Sequence, residues 1–404
     1  ASLDWLQEVV NNTCETDSID FVFAQLHHPH KSELWTPGES NFTGDVIQIL
    51  EQFTTDCGKP SIHFFGHTHG YSRGQSRDHK HLWINVATAG GAIDYWGEWP
   101  QFDYDEFSVS QDHYGFVVVD VESGDEPCFT VKRISRGTEN NPMDNVITDS
   151  LLVKLNPNPV ATPIPTYPIN VEVNPECVEL LAEEFSPEVQ DQLHGQAHWQ
   201  VFTDCDLNEE PQFEYWNNYE NQYFNEDTQA NDNLADQEVS GLNENSSYCW
   251  RVRYRDQNMD WSAWSEPSPF TTGNSLLSPN LLLNSDAEDE INNWTATVGV
   301  IESLEDGECN GIAPYEDAHY FAVGGVCDDN EYGLAYQNVD VSSFSEAIDM
   351  GEFSTYFGGY LSNWGGDDQP SFRLIFLDEN MNELESTEQL SSLSSSWVQL
   401  ADWS

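Results

Sequence analysis

Two short stretches gather the histidines whose spacing suits chemistry. Gly66-His67-Thr68-His69-Gly70 follows the apolar run Ile62-His63-Phe64-Phe65, and His27-His28-Pro29-His30 follows the apolar residues 21–26. A His-x-His between glycines at the end of a strand has the form of a metal corner. Neutral imidazole is the commonest nitrogen ligand for transition metals, and glycine lets the backbone turn close to an ion. Both stretches fall just past the carboxyl end of an expected strand, where open α/β sheets place ligands.

The elements that must position them follow from hydrophobic spacing. Leu3, Leu6, Val9 and Val10 predict an amphipathic helix at the start. Val46, Ile47, Ile49, Leu50 and Phe53 predict a second over about 41–53. Apolar runs at 21–26, 61–65, 81–88, 115–121 and 128–134 predict strands, so residues 1–155 read as a layered α/β domain. Residues 156–168 hold five prolines, Pro157, Pro159, Pro163, Pro165 and Pro168, which make a stiff spacer. Beyond it the pattern changes to short alternating strands, with a weaker break near 273–279 that separates two β modules, 169–273 and 279–404.

Residues 21–35 (FVFAQLHHPHKSELW) and 62–74 (IHFFGHTHGYSRG) together resemble the last two metal motifs of the calcineurin-like metallophosphoesterase superfamily, near its purple acid phosphatase-type branch. The opening helix is similar to the one that precedes the first of those motifs. The resemblance covers about residues 1–150. It implies a β-sandwich core with flanking helices and metal-dependent hydrolysis of phosphate esters. On it, His27 and His67 would bind one ion and His69 a second, with Fe, Zn, Mn or Mg as the metals. Two ions about 3.5–4 Å apart would hold the phosphate and lower the pKa of an attacking water. His28, His30 and Arg73 would contact the substrate. The superfamily's Asp-x-His, Gly-Asp-x-x-Asp and Gly-Asn-His motifs are missing from the twenty-six residues before His27, so the chain is expected to be a fragment inactive by itself. The loop at 85–99, with Gly90-Gly91, is expected to pack its backbone closely beside the site.

Composition sets the surroundings. Seventy-one acidic residues against 13 basic ones give a formal net charge of −58, which excludes binding of nucleic acid or anionic membrane through a general field. The 51 aromatic residues interleaved with those acids argue for a folded chain, and the acidic surface for a salty habitat such as that of a halophilic or marine bacterium. Eight scattered cysteines without a Cys-x-x-Cys pair predict disulfides in a secreted, cell-surface or periplasmic protein. Cys14 with Cys57 and Cys309 with Cys327 are candidate pairs, with the full connectivity open.

In the first β module, the segment around Tyr248-Cys249-Trp250-Arg251-Val252-Arg253-Tyr254-Arg255 resembles the F strand of a fibronectin type III domain, with Tyr248 at the tyrosine-corner position. The Trp261-Ser262-Ala263-Trp264-Ser265 run predicts a stack of Arg251, Arg253 and Arg255 with indole rings. The second module opens like a galactose-binding-like jelly roll and is expected to be cut short. Asp286 and Glu288, with Asp289, are candidate ligands of a structural Ca²⁺, and Trp364 is a candidate sugar platform. The expectation for the whole is therefore a secreted metallophosphoesterase acting on a phosphate ester. The alternative is a non-catalytic extracellular adhesion or polysaccharide-binding protein with a degenerate phosphoesterase domain.

Overall fold

A computed structural model describes every residue except 1, 188–191, 231–232, 276–277, 329, 331, 351–353, 364–367, 393 and 404. The candidate platform Trp364 lies outside the described residues. The chain packs as two units, 1–276 and 277–404.

The first unit opens with α1 (Ser2–Cys14), β1 (Val22–Gln25), α2 (Asn41–Cys57), β2 (Ser61–Phe65), β3 (Tyr71–Gln75), β4 (His81–Val86) and β5 (Phe107–Gln111). Helix α2 buries Val46, Ile47, Leu50 and Phe53, the stripe its spacing predicts. It stops at Gly58, whose φ of 66° ends the helix while its N–H donates to the Thr54 carbonyl. Both helices pack on one face of the sheet, with Val10 and Leu50 against Val22 and Ala24, and the Cys14–Cys57 disulfide joins their ends.

Three antiparallel strands, β6 (Tyr114–Glu122), β7 (Cys128–Gly137) and β8 (Pro142–Lys154), form a second sheet. Phe129 and Val131 of β7 alternate inward with buried Arg133, as a strand covered on one face must. They meet Ile62, Tyr71, Leu82, Ile84 and Val109 of the first sheet to make the core between the two. The unit is therefore a β-sandwich with helices on one outer face. Strands β1, β2 and β4 run parallel and β3 and β5 join antiparallel, so the layered α/β domain expected of residues 1–155 forms around a mixed sheet.

The same unit continues through β9 (Pro165–Tyr167), β10 (Glu172–Val173), β11 (Val178–Ala182), β12 (His194–Thr203), β13 (Phe213–Asn218), β14 (Gln222–Tyr223), β15 (Glu226–Asp227), β16 (Asp236–Val239), β17 (Ser247–Asp256) and β18 (Ser268–Thr272). Sheets β10-β18-β17-β12-β13 and β16-β11-β9 enclose Trp199, Trp250, Val252 and Leu180. The Tyr248 hydroxyl accepts the Asn243 N–H at 2.9 Å, forming the tyrosine corner. The arginine stack is also present. Arg251 lies over Trp264 (4.3 Å), Arg253 lies over Trp264 (4.5 Å) and Trp261 (4.3 Å), and Arg255 lies over Trp261 (5.2 Å).

This sandwich is welded to the first sheet. The β14–β15 hairpin extends that sheet beyond β5, with Gln222 opposite Val109. Buried Arg255 donates to the carbonyls of Ser76 (2.9 Å) and His79 (2.7 Å), and Trp261 Nε1 donates to the Arg77 carbonyl at 2.7 Å.

The second unit holds short pairs, among them Ile301–Glu305 with His319–Val323 and Tyr356–Leu361 with Val398–Trp403. Its small core is Leu304, Tyr320 and Ala322. The described strands pair two by two and do not assemble the two broad sheets of a jelly roll. A third disulfide, Cys309–Cys327, accompanies those of Cys14–Cys57 and Cys205–Cys249.

Candidate functional site

The two histidine stretches meet at neighbouring strand ends. Strands β1 and β2 are parallel partners, and beyond them the Gly66 N–H donates to the His27 carbonyl at 3.0 Å. The corner then tightens through Thr68 N–H to Gly66 O (2.8 Å) and Gly70 N–H to Thr68 O (3.1 Å). Buried Asn85 of β4 pins it, with Nδ2 donating to the carbonyl and hydroxyl oxygens of Thr68, both at 2.9 Å. Gly70 is required because a Cβ there would stand 1.8 Å from Leu34 Cδ1.

His67 takes φ = 70°, a left-handed conformation that a non-glycine residue holds only when its surroundings enforce it. The result is a cluster of His27, His28 and His67, each offering one ring nitrogen within 4.8 Å of the others. Ring centroids lie 4.7 Å (His27–His28), 5.1 Å (His27–His67) and 4.3 Å (His28–His67) apart. Burial, followed by the like charges that His28 and His27 would carry, pushes the His67 pKa down and favours the neutral, ligating form. Half-buried Trp35 walls the cluster, its ring 5.3 Å from that of His67.

The expected ligand set is therefore changed. His28, expected to contact substrate, stands with His27 and His67, whereas His69, expected on a second ion, is outside that group. His69 Nδ1 lies 2.6 Å from the Ala92 carbonyl and its backbone N–H donates to Asp94 Oδ2. Gly91 packs directly on it, since a Cβ there would meet the His69 ring at 2.7 Å. His30 packs against Gly44 and Trp83 instead of joining the cluster. Arg73 is not a substrate contact. It is buried on β3, with Nε donating to Asp149 Oδ2 at 2.7 Å and Nη2 to Glu220. At the calcium candidates, both Glu288 oxygens are already engaged, one by the Ala318 and His319 N–H groups and the other by His319 Nδ1 at 3.0 Å. Asp286 accepts the Glu288 N–H at 3.3 Å. Missed in the sequence was the buried series Ser61–His81–His63, joined at 2.7 and 2.9 Å. Burial pushes His63 down to about 3.

A family model described as the Rha78A-like, N-terminal immunoglobulin domain matches residues 195–275. No curated protein matches. Among solved structures, the FN1–FN3 domains of chicken CNTN1 are 11% identical over 38% of this chain and 45% of that one, with a TM-score of 0.22. The fibronectin(III)-like modules of Clostridium thermocellum CbhA are 13% identical over 45% of this chain and 80% of theirs, TM-score 0.21. The alpha-L-rhamnosidase from Dictyoglumus thermophilum is 12% identical over 52% of this chain and 18% of that one, TM-score 0.22. The chain thus spans less than half of the CNTN1 segment. Scores this low carry no argument about activity.

The metallophosphoesterase expectation is overturned. The family that matches, over residues 195–275, is an immunoglobulin-like domain, a different kind of protein. The phosphate-ester substrate, the hydrolase activity and the phosphoesterase fold assignment of residues 1–155 fall with it. A multidomain, mostly β chain whose residues 195–275 match an immunoglobulin-like domain stands. Three disulfides, one of them within the immunoglobulin-like region, mark an extracellular protein. No described helix is long and apolar enough to cross a membrane.

Proposed function

We propose that this chain is a non-catalytic, secreted or cell-surface binding protein of the polysaccharide-associated kind. The match of residues 195–275 to an immunoglobulin-like domain family carries the reading. Its net charge of −58 turns it away from acidic glycans and towards neutral ones. Co-sedimentation of the whole chain with cellulose, chitin, agarose and a rhamnose-containing pectin, at high salt, tests it. Retention on at least one neutral polymer is expected, and retention on none of them overturns the reading.

A second property rests on the histidine cluster: one transition-metal ion held by His27, His28 and His67. Three imidazoles without a carboxylate favour Zn²⁺, Cu²⁺ or Ni²⁺ over Mg²⁺. Titration calorimetry with Zn²⁺ should show one site that His28→Ala or His67→Ala removes and His69→Ala keeps. Equal binding by all four proteins refutes the assignment.

A further inference from the structure

Away from the histidine cluster, a cleft of about 400 Å³ runs between helix α2 and the neighbouring strand ends. Its two walls differ in chemistry. One wall is a stripe along α2, where Asn41, Asp45, Gln48 and Glu51 recur at helical spacing on one face. These are amides and carboxylates, rich in acceptors. The other wall carries the donors Lys31 and Arg77. Lys31 is held by Glu106 at 2.6 Å, and Arg77 by Asp78 at 2.9 Å and Glu214 at 3.1 Å. Buried Ile47 and Trp83 supply the apolar part of the lining. Gly44 lies between Asn41 and Gln48, and its missing side chain leaves room for His30 beside it.

Facing walls of acceptors and donors suit a ligand whose groups donate and accept at once, and hydroxyls do both. An acidic ligand fits poorly. Lys31 is already compensated by Glu106, and Asp45 and Glu51 form no ion pair among the described residues, so the charge left over in the cleft is negative. The volume falls in the ordinary range for small-ligand sites, about 300–1,000 Å³, and admits roughly one or two sugar rings.

The geometry points to this cleft as a binding site for a neutral saccharide, one or two units of a glycan chain, hydrogen-bonded by Asn41, Asp45, Gln48 and Glu51. This inference deepens the polysaccharide-binding reading and rests on it only for the length of the polymer. Asn41 and Gln48 are exposed on the helix surface, so their removal leaves the core intact.

The test uses the whole chain, its Asn41→Ala/Gln48→Ala variant, and a Glu8→Gln control on α1. Titration calorimetry with cellobiose, maltose, chitobiose and, as the acidic comparison, digalacturonate is run beside the co-sedimentation assay. At least one neutral disaccharide should bind wild type and the control equally, and bind the double variant at least tenfold more weakly. Digalacturonate should bind more weakly than the neutral sugars. Unchanged affinity in the double variant, no binding of any neutral disaccharide, or preference for digalacturonate overturns the cleft. Wild type and variant sedimenting equally with a polymer, with no disaccharide bound, sinks the cleft and leaves the polysaccharide reading standing. Disaccharide binding lost in the variant, with no polymer sedimented by wild type, does the reverse.

Discussion

Arg73→Met is the most informative single change, because a ligand-contacting arginine and a structural one predict opposite results. The side chains of Arg73 and Asp149 are each 6% exposed and 2.7 Å apart, and Glu220 from the loop after β13 takes the far side of the guanidinium. Burial alone would lower the arginine pKa. The Asp149 and Glu220 carboxylates outweigh it and leave the pKa raised, so the charge is held firmly. Two charges about 4 Å apart at an effective dielectric of about 20 attract by about 4 kcal/mol. The Glu220 contact adds less, since that carboxylate is 30% exposed. Stripping one partner from a buried pair typically costs about 3–5 kcal/mol, because the other charge stays buried. Asp149 would keep only the Tyr71 hydroxyl, which donates to it at 2.6 Å. At about 2–4 °C per kcal/mol for a unit of this size, Tm should fall by roughly 10 °C. Thermal unfolding by circular dichroism reads it, together with the Arg73→Met/Asp149→Asn double variant, which should recover part of the loss. A shift under 2 °C for Arg73→Met, or no recovery in the double variant, would refute the ion-pair reasoning.

Four further outcomes follow. Replacing both Cys14 and Cys57 by Ser opens a loop spanning a sequence separation of 43 and should cost about 4 kcal/mol, read by urea unfolding of oxidised wild type and the variant. His198 is buried and accepts from Arg253 at Nδ1; burial first, and Arg253 second, push its pKa down to about 4. Its stabilisation is therefore complete above pH 6.5 and lost as pH falls through 4, a swing of about 3 kcal/mol that His198→Gln should flatten in a pH series of Tm. Glu33 has the opposite sign. Burial raises it to about 8, so its contribution is complete below 4.5 and lost as pH rises through 8, and Glu33→Gln should remove the fall in stability between pH 4.5 and 8. Trp261→Ala takes away the ring beside Arg253 and Arg255 together with the indole donor to Arg77; by calorimetry residues 1–276 should melt in one transition in wild type and in two in the variant.

What the sequence makes legible is what local pattern determines. The two long helices, strands β1, β2, β4, β6 and β7, the tyrosine corner and the arginine–indole stack all carry their periodicity in their own residues. Strand β3 does not. Ser72, Arg73 and Gln75 are polar yet buried, and their partners Ser110, Asp149, Glu220, Ser108 and Asn218 lie 33 to 147 positions away, so its burial cannot be read from its own composition. The β14–β15 hairpin is two pairs of residues that become strands only because the edge of β5 is there to receive them.

The histidine site shows the same division. Its place at two strand ends was readable, because strand, glycine and histidine are adjacent in the chain. Which ring nitrogens converge was not, since that depends on His67 being held at φ = 70° and on His69 being drawn to the Ala92 carbonyl by a loop more than twenty residues on. Histidine spacing by itself therefore does not determine the chemistry of the site. Spacing fixes where the backbone delivers a ligand, whereas the partners of Arg73, His69 and His28 decide what each side chain is free to do.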